Sequence, residues 1–345
     1  MSSACGRPFP RYTCPLGSWA TWGIKRPAGF GNVEHILVKS SDHRDTEFET
    51  ALGKAIEIAD AHELRLPLVF ASPHSGCSYP AHFIGSSPLD LAALRKSEDC
   101  YVDELFGDVP ELGAPLVKAL LPRAYLDVNR EPYELDPDMF DGPLPAFVNS
   151  SSARVAAGLG TVARIVATRR EIYRHKLAFA DVELRLAEFY RPYHRAVRMM
   201  INRTLDNFGY CVLVDCHSMP SSGLPLDIDS APQLVDVVLG DRSGLSCHPL
   251  ITDTIDESLH DLGYRVLRNN PYAGGFTTQH YGDPANGVHA VQIEINRSLY
   301  MDEATLMRRA AFGKLRAHLG AVVASLADAV SRSEKSLRYQ RMSAE

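Results

Sequence analysis

The sequence lacks the features that mark several large classes of protein. It has no excess of positive charge, because 42 Asp and Glu residues outnumber 36 Lys and Arg residues and give a net charge of −6. This balance argues against a general nucleic-acid-binding protein, which carries a basic excess or a basic face. No stretch of the sequence approaches the ~20 consecutive apolar residues of a transmembrane helix. We therefore expect neither a nucleic-acid partner nor a membrane partner.

Cysteine motifs and a leader sequence are also missing. The seven cysteines are odd in number and widely spaced, and none belongs to a Cys-x-x-Cys pair. This pattern speaks against a disulfide framework and against a structural zinc knuckle. Met1–Arg11 has no apolar core, so it does not resemble a secretory signal. We expect a cytoplasmic protein with reduced thiols, and the sequence leaves its oligomeric state open.

The composition is that of a globular protein with one large core. Of 345 residues, 45% are hydrophobic and 23% are charged, which is enough apolar material to bury a substantial interior. We expect a catalytic domain over residues 61–330. Residues 1–60 form an N-terminal extension, packed on the core or partly disordered, in which Glu47–His62 has the apolar spacing of a helix. Residues 331–345 form a charged tail that we expect to be frayed.

From Leu66 onward, short apolar runs alternate with helical patterns. The predicted strands are Leu66–Ser72, Leu116–Leu121, Ala124–Asp127, Cys211–Asp215 and Val288–Asn296. The predicted helical stretches are Leu89–Phe106, Glu171–Asn207 and Ala304–Ala329. Pro192 lies inside the longest of them, so we expect a break or kink near Tyr190. This alternation predicts an α/β fold around a mainly parallel sheet.

Polar residues follow three of the predicted strands. His74, Asn129-Arg130 and His217 each come at or just after the carboxyl end of an apolar run. Open α/β sheets bind their ligands along this edge. The sequence therefore predicts that these side chains meet at one rim of the sheet.

The two histidines are candidate metal ligands. A catalytic zinc site uses three protein ligands and keeps an open position for water, and imidazole is a common ligand. A histidine of this kind taken alone is more often a hydrogen-bonded structural residue, and the presence of two favours metal ligands. Asp99 and Asp103 lie four residues apart, which would place both carboxylates on one face of a helix. A solvated acidic helix face is the alternative. We choose Asp103 as the third ligand, with Asp99 as its support or its substitute.

Glu294 is the candidate general base. In Val288–Asn296 the apolar side chains alternate with Gln292, Glu294 and Asn296, which share the opposite face of the strand. A glutamate in a strand built for burial is costly unless it is paired or functional. Its expected use is to activate water for attack on an amide. The alternative is a structural ion pair with Arg297 or another arginine.

Three further segments bear on substrate binding. Asn129 and Arg130 offer an amide and a guanidinium suited to a carboxylate, the alternative being a surface ion pair with a nearby glutamate. Asn270–Gly275 has the glycines of a loop that closes over substrate, or is a simple turn. Gly158–Thr161 matches part of a dinucleotide fingerprint but lacks its third glycine and its strand–turn–helix setting, so we expect no nucleotide site.

Six motifs in a fixed order carry a resemblance to a known family. They are Ser-Pro-His-Ser-Gly at 72–76, Val-Asp-Glu-Leu-Phe at 102–106, Asp-Val-Asn-Arg at 127–130, Asp-Cys-His-Ser at 215–218, Asn-Pro-Tyr-Ala-Gly-Gly at 270–275 and Gln-Ile-Glu-Ile-Asn-Arg at 292–297. The chain closely resembles the N-formylglutamate amidohydrolase (deformylase) family. The resemblance runs from Leu66 to Leu326, takes in Gly158–Arg164 and Glu188–His194, and leaves residues 1–60 outside.

This family is distantly similar to the zinc carboxypeptidases and aspartoacylases. The similarity implies helices on both faces of a mixed sheet. It also implies His74 and His217 as metal ligands, Asn129 and Arg130 as the substrate clamp, and Glu294 as the base. Further substrate-binding candidates are Tyr272, Gly274, Gly275, Asn296 and Arg297. The chain departs from the carboxypeptidase pattern at Cys77, which occupies the position of the acidic ligand three residues after the first histidine.

We therefore expect a metal-dependent amidohydrolase that uses Zn²⁺ or another divalent transition metal. Its expected substrate is a small anionic N-acyl amino acid, first of all N-formyl-L-glutamate, which would yield formate and L-glutamate. One alternative is an amidase for another N-acyl amino acid or a small peptide. The other is a non-catalytic protein that binds a metal or ligand on the same scaffold, and Glu294 argues against it because binding alone needs no base.

Overall fold

A computed structural model describes residues 53–221 and 235–338 of the chain. A mixed sheet lies at its centre. The strands are β1 (Ile56–Ala59), β2 (Leu68–Ser72), β3 (Leu116–Ala119), β4 (Cys211–Met219), β5 (Val237–Gly240), β6 (Val266–Arg268) and β7 (Val288–Asn296). Their order is β1-β3-β2-β4-β7-β5-β6. Neighbours pair in parallel except β1 with β3 and β5 with β7, which confirms the mixed, mainly parallel sheet.

Helices connect the strands, and a short ribbon follows the last of them. The α-helices in the described residues are α1 (Ala81–Ser86), α2 (Leu91–Arg95), α3 (Val102–Leu105), α4 (Val109–Leu112), α5 (Ala153–Ala156), α6 (Phe179–Arg185), α7 (Arg191–Phe208), α8 (Pro249–Asp261), α9 (Phe276–Tyr281), α10 (Phe312–Arg332) and α11 (Glu334–Leu337). A π-helical turn, Leu186–Tyr190, joins α6 to α7. Short 3₁₀ turns lie at Pro137–Met139, Pro284–Asn286 and Arg297–Leu299. The ribbon pairs β8 (Met301–Asp302) with β9 (Met307–Arg308).

Both faces of the sheet are covered by helices, as predicted. Side chains alternate along β4, so Leu213 packs on one face with Val197 of α7. Val214 packs on the other face with Ile255 of α8 and Leu319 of α10. Strands that are buried on both faces form nearly continuous apolar runs, which explains why the sequence revealed them. Toward the carboxyl end of β4, the face that carries Leu213 becomes polar, and the candidate site begins there.

Membrane helices and disulfides are absent from the described residues. No helix among them combines the length and the apolar character needed to cross a bilayer. Their five cysteines are free thiols: Cys77 is exposed, and Cys100, Cys211, Cys216 and Cys247 are buried. The expectation of reduced thiols therefore holds for these five, while Cys5 and Cys14 lie outside the described residues.

The sheet begins earlier than expected, and ordered structure continues beyond residue 330. The prediction of a helix over Glu47–His62 is wrong in its described part, where Ile56–Ala59 forms edge strand β1 against β3. Ile56 and Ile58 are two residues apart, so a strand places both on one face. At the other end, α10 reaches Arg332 and α11 buries Leu337. Residues 1–52 and 339–345 of the predicted extension and tail lie outside the described residues.

Two predicted elements between β2 and β4 are wrong. Ala124–Asp127 forms turns and not a strand, so Asn129 and Arg130 come from a loop. Leu89–Phe106 contains two short helices, α2 and α3, because the backbone of Tyr101 is left-handed with φ of 66°. A non-glycine residue seldom adopts this conformation, and it ends any helical register between Asp99 and Asp103.

Candidate active site

Three adjacent parallel strands position the centre of the site. His74 follows β2 by two residues, whereas His217 lies inside β4 and Glu294 inside β7. β4 and β7 pair so that Asp215 lies opposite Gln292 and His217 opposite Glu294. Residues two apart on a strand share a face, so these four side chains form one polar patch.

The two histidines meet at one oxygen of a buried aspartate. His74 Nδ1 lies 3.4 Å from Asp99 Oδ2, and His217 Nδ1 lies 3.1 Å from the same oxygen. One ligand atom from each of the three residues lies within 4.8 Å of those of the other two. His74, Asp99 and His217 are each only 2% exposed, so water competes little for these atoms.

The second nitrogen of each imidazole faces a further aspartate. His74 Nε2 lies 2.7 Å from Asp127 Oδ1, and His217 Nε2 lies 2.9 Å from Asp215 Oδ2. A carboxylate on Nε2 holds a proton there and directs the Nδ1 lone pair inward, as in metal sites where a carboxylate supports a histidine ligand. Burial by itself would lower the pKa of His217, but the Asp215 carboxylate raises it well above the usual range.

Asp99, and not Asp103, stands at the point where the histidines converge. Asp99 lies in the irregular segment before Tyr101, and its other oxygen, Oδ1, accepts a hydrogen bond of 2.8 Å from Arg297. Asp103 lies on α3 outside the His–Asp–His group, and its backbone N–H donates to Ser75 Oγ. The choice of Asp103 rested on a continuous helix, which the left-handed backbone of Tyr101 interrupts. Asp99, the substitute choice, is the aspartate that the structure brings to the two histidines.

The donor set suits a divalent cation. His74 Nδ1 is buried and has no hydrogen-bond partner among the described residues. With a proton on each Nε2, two imidazole lone pairs and a carboxylate oxygen face one another across a few ångströms. These groups repel one another unless a positive charge lies among them, either a cation or the extra proton that the raised pKa of His217 allows it to hold. Two nitrogens and one oxygen are also a ligand set that zinc accepts.

Charge around the site keeps its aspartates ionised. Burial by itself would raise the pKa of Asp99, but His217 and His74, which face its carboxylate, and the charge of Arg297 lower it well below the usual range. The pKa of Asp127 is also well below its usual range, because neighbouring arginines outweigh its burial. The site thus presents fixed negative charge to a cation.

Glu294 has the environment of a general base. It is 7% exposed, and burial raises the pKa of its carboxyl to about 7. Its Oε1 accepts a hydrogen bond of 2.5 Å from Gln292. No ion pair of Glu294 occurs within residues 53–221 and 235–338, and Arg297 pairs with Asp99 instead. The alternative of a structural pair between Glu294 and Arg297 is therefore wrong.

Both polar atoms of the Asn129 side chain contact other groups of the protein. Its Oδ1 accepts hydrogen bonds from the backbone N–H and the hydroxyl of Thr277, at 2.7 and 2.9 Å. Its Nδ2 donates to Asp215 Oδ2 at 3.1 Å and lies 2.9 Å from His217 Nε2. Asn129 therefore supports the histidine site, and its amide contacts protein groups and not the substrate as we predicted.

Two arginines bring positive charge to the same loop. Arg130 donates to the carbonyl oxygens of Leu159 and Asn129, and its remaining amino group lies 3.7 Å from Asp127 Oδ2. Neither Glu131 nor Glu134 pairs with it, contrary to the alternative reading. Arg123 donates to Asp127 at 2.7 Å. The charges of Asp127, Asp99 and Glu294 outweigh burial and raise the pKa of Arg123.

The loop that contains Tyr272 closes one side of the site. Burial, followed by the charges of Glu294 and Asp99, raises the pKa of the Tyr272 hydroxyl. Gly275 N–H donates to Gln292 Oε1 at 2.6 Å, which ties the loop to β7. Gly274 has φ of 122°, a conformation that favours glycine.

Asn296 and Arg297, which we predicted to contact substrate, bond to other groups of the protein. Asn296 caps the following 3₁₀ turn, accepting from the N–H of Ser298, and its amide donates to Val235 O. Arg297 donates to Asp99 and to Ser218 Oγ. Both side chains thus stabilise the ends of β4 and β7 and the aspartate between the histidines, and we leave them out of the substrate-binding set.

The sequence reasoning missed Arg123 and the supporting roles of Asp127 and Asp215. For Asp215 a signal was available, because it precedes His217 by two residues on a strand and must share its face. Asp127 and Asn129 have the same spacing, but their segment is not a strand. Arg123 lies four residues before Asp127, and the turn that follows β3 brings the two side chains together.

Comparisons with known proteins identify the family of the chain. A sequence model of the N-formylglutamate amidohydrolase family matches residues 66–301. The N-formylglutamate deformylase of Pseudomonas putida is 31% identical over 250 residues, which cover 72% of this chain and 86% of that protein. The enzyme of the same name from Pseudomonas aeruginosa is 32% identical over 243 residues, covering 69% and 84%.

A solved structure gives the same answer. The crystal structure of N-formylglutamate amidohydrolase from Ralstonia eutropha JMP134 matches with a TM-score of 0.76 at 36% identity, and the match covers 81% of this chain and 99% of that one. The fold, the site and these relatives define an amidohydrolase, an enzyme of the hydrolase class. More narrowly, the chain belongs to the N-formylglutamate amidohydrolase family.

Proposed function

We propose that this protein hydrolyses the amide bond of an N-acyl amino acid, with N-formyl-L-glutamate as its preferred substrate, and that it uses a divalent transition metal, Zn²⁺ first. The names of the Pseudomonas relatives support the substrate. One observation supports the use of a metal: the Nδ1 atoms of His74 and His217 converge on one oxygen of Asp99 in a buried space.

The three converging residues would hold the ion, and the residues around them fix its ligands. A bound Zn²⁺ supplies Lewis acidity, which polarises a carbonyl and lowers the pKa of water. Asp127 and Asp215 keep the Nε2 protons of the histidines in place, so that each Nδ1 presents its lone pair. Arg297 holds Asp99 by its second oxygen. The chain thus preorganises the ligand set before a substrate arrives.

Glu294 moves the protons of the reaction. Its carboxylate accepts a proton from water while the water oxygen forms a bond to the formyl carbon. When the bond between that carbon and the amide nitrogen breaks, Glu294 returns the proton to the nitrogen. The products are formate and L-glutamate, so every atom of water and substrate is accounted for. A pKa near neutrality suits a group that both accepts and donates a proton.

Guanidinium groups fit an anionic substrate. Arg123 and Arg130 flank Asp127 on the loop beside the histidines. Arginine binds carboxylates through parallel hydrogen bonds, and N-formyl-L-glutamate carries two carboxylates. We assign Arg130 and Arg123 to substrate binding. Tyr272 and the backbone of Gly274 and Gly275 would line the opposite side of the substrate site.

A substrate panel with and without metal tests the proposal. The purified protein, stripped with a chelator and then reloaded with Zn²⁺, is offered N-formyl-L-glutamate, N-acetyl-L-glutamate, N-formyl-L-aspartate and N-formyl-L-methionine, and amine release is followed. We expect the reloaded enzyme to have the highest kcat/KM for N-formyl-L-glutamate and the stripped enzyme to be inactive. A preference for an uncharged side chain would contradict the substrate, and full activity after stripping would contradict the metal.

A further inference from the structure

Two side chains of the helix before β4 hold the loop on either side of Asn129. The hydroxyl of Tyr190 donates to the carbonyl oxygen of Arg130 at 2.7 Å. His194 Nε2 lies 2.9 Å from the carbonyl oxygen of Val128. Both bonds end on the backbone of three consecutive residues, the middle of which contacts His217. The proposed function gives neither helix residue a part.

The helix is irregular where these two side chains leave it. Arg191 N–H bonds to Leu186 O, five residues back, and closes a π-helical turn. Pro192 follows, has no N–H to donate, and is buried. Such π-turns are rare and often occur at functional sites. Tyr190 and His194 are four residues apart across this junction, so both face the same loop.

The hydrogen bonds of His194 fix its tautomer. The carbonyl oxygen of Val128 can only accept a hydrogen bond, so Nε2 of His194 must carry a proton and act as the donor. Nδ1 then accepts from the hydroxyl of Tyr281, 2.7 Å away. His194 is 3% exposed, and burial lowers its pKa to about 3, so the ring is a neutral donor at working pH. It therefore serves as a fixed hydrogen-bond donor to the loop.

A third residue, Thr277, also holds this loop. Thr277, on α9, holds the Asn129 side chain through its N–H and its hydroxyl. Tyr281 of the same helix bonds to His194, which links the two supports. The backbone before Asn129, its side chain and the backbone after it are thus each fixed by a separate bond.

We propose that Tyr190 and His194 are positioning residues that hold the Asn129-Arg130 turn in the geometry that binds substrate. This inference rests on the proposed function, since it assigns the guanidinium of Arg130 to the substrate carboxylate. Loss of the Tyr190 bond or of the His194 bond lets the turn shift and weakens substrate binding. Glu294 lies on β7 and makes neither of these bonds, so the effect falls first on substrate binding.

Tyr190→Phe tests this role against a matched control on the same helix. Tyr193 is also buried, but its hydroxyl has no hydrogen-bond partner among the described residues, so Tyr193→Phe removes an oxygen without removing a bond. With zinc-loaded protein, we expect Tyr190→Phe to raise KM for N-formyl-L-glutamate about 3- to 10-fold, the value of one hydrogen bond. We expect kcat to change less than twofold and Tyr193→Phe to match the parent.

A conservative pair at His194 supplies the second measurement. In His194→Gln the side-chain amide can reach Val128 O as a donor, whereas His194→Leu leaves that carbonyl unpaired. We expect the Gln variant to stay within about threefold of the parent KM and the Leu variant to exceed tenfold, since an unpaired buried carbonyl costs more than a lost bond. Calorimetric binding of L-glutamate should weaken in the same order.

The outcomes separate this inference from the proposed function. If the parent hydrolyses N-formyl-L-glutamate and Tyr190→Phe matches Tyr193→Phe in KM, the inference is overturned and the function stands. Equal losses of kcat and melting temperature in both His194 variants, with KM unchanged, also overturn it. A parent that hydrolyses no N-formyl-L-glutamate overturns the proposed function, and the inference with it.

Discussion

His217 and Glu294 lie opposite each other in the parallel pairing of β4 with β7. Paired strands are spaced ~4.8 Å apart, so backbone hydrogen bonds fix the distance between the proposed metal ligand and the proposed base. Both strands are buried over their whole length. The spacing of these two groups is therefore a property of the sheet, and loop motion does not change it.

Replacement of Glu294 tests the base directly. Glu294→Gln keeps the shape of the side chain and its neighbour Gln292 but cannot accept a proton. We expect kcat to fall about 10²- to 10⁴-fold, which is the usual contribution of a general base. Zinc content, measured on the purified variant, should stay at the parent level because Glu294 is not among the converging ligands.

The matched control is Glu257→Gln, since Glu257 is exposed on α8, the helix Pro249–Asp261. This variant should keep the parent kcat. Near-parent turnover in Glu294→Gln would show that another group moves the proton.

The third metal ligand can be decided by a pair of substitutions. Asp99→Asn removes the charge at the oxygen that both histidines face, and Asp103→Asn makes the same change on α3. We expect Asp99→Asn to weaken zinc binding at least about 10-fold, as for other residues that hold a metal or its ligands. Competition with a chromogenic chelator measures this affinity without use of activity.

Asp103→Asn should bind zinc like the parent, because its carboxylate lies outside the converging group. The reverse order of affinities would restore Asp103 as the ligand and would mean that the loop at Tyr101 rearranges around the ion.

The sequence predicted the parts of the site that strands carry. His74, His217 and Glu294 each follow or belong to an apolar run, and strand periodicity determines which side chains share a face. Asp99 was harder to place, because its position depends on the left-handed backbone of Tyr101. No local pattern marks a tyrosine for that conformation, which tertiary contacts must stabilise.

Motif spacing did not distinguish a substrate contact from a structural one. Asn129 and Arg297 have the residue types of a carboxylate clamp, yet one supports His217 and the other holds Asp99. Both assignments depend on contacts between residues 86 or more positions apart in the chain. Only the three-dimensional arrangement shows which polar groups are already paired.

Stability should depend on pH through His194. Burial lowers its folded pKa to about 3, below the ordinary value of 6.5, so the unfolded chain binds more protons between these values. Stability from the neutral ring is therefore complete above pH 6.5 and is lost as the pH falls. We expect metal-free protein to lose up to about 1.4 kcal/mol per pH unit relative to His194→Gln.

Urea unfolding at several pH values between 7 and 4.5 measures this difference. The nearby His280 and Arg198 are present in both proteins, so their contributions cancel to first order. His260→Gln, at an exposed position, should follow the parent at every pH. A difference between parent and His194→Gln that does not change with pH would mean that His194 is not held as a buried neutral ring.

A methyl group at Gly275 should disturb the site through Asn129. Gly275 has an ordinary φ of −90°, so alanine is compatible with its backbone. Its Cβ, however, would lie 2.7 Å from Asn129 Nδ2, and that amide is already held at both ends by Thr277 and Asp215. We expect Gly275→Ala to lower the free energy of unfolding by about 1–3 kcal/mol and kcat/KM about tenfold or more, as in other overpacked sites.

Gly320→Ala makes the same chemical change where there is room for it. Gly320 lies within α10, and an added Cβ meets no atom within 4 Å. Alanine in the middle of a helix is favoured over glycine by about 0.5–1 kcal/mol, so this variant should be more stable than the parent, with unchanged kcat/KM. If the free energy of unfolding falls in Gly275→Ala and rises in Gly320→Ala, the loss is due to the contact of the added methyl group with Asn129. If Gly275→Ala gave the parent values in both measurements, the packing of that loop against Asn129 could not be as tight as the structure shows.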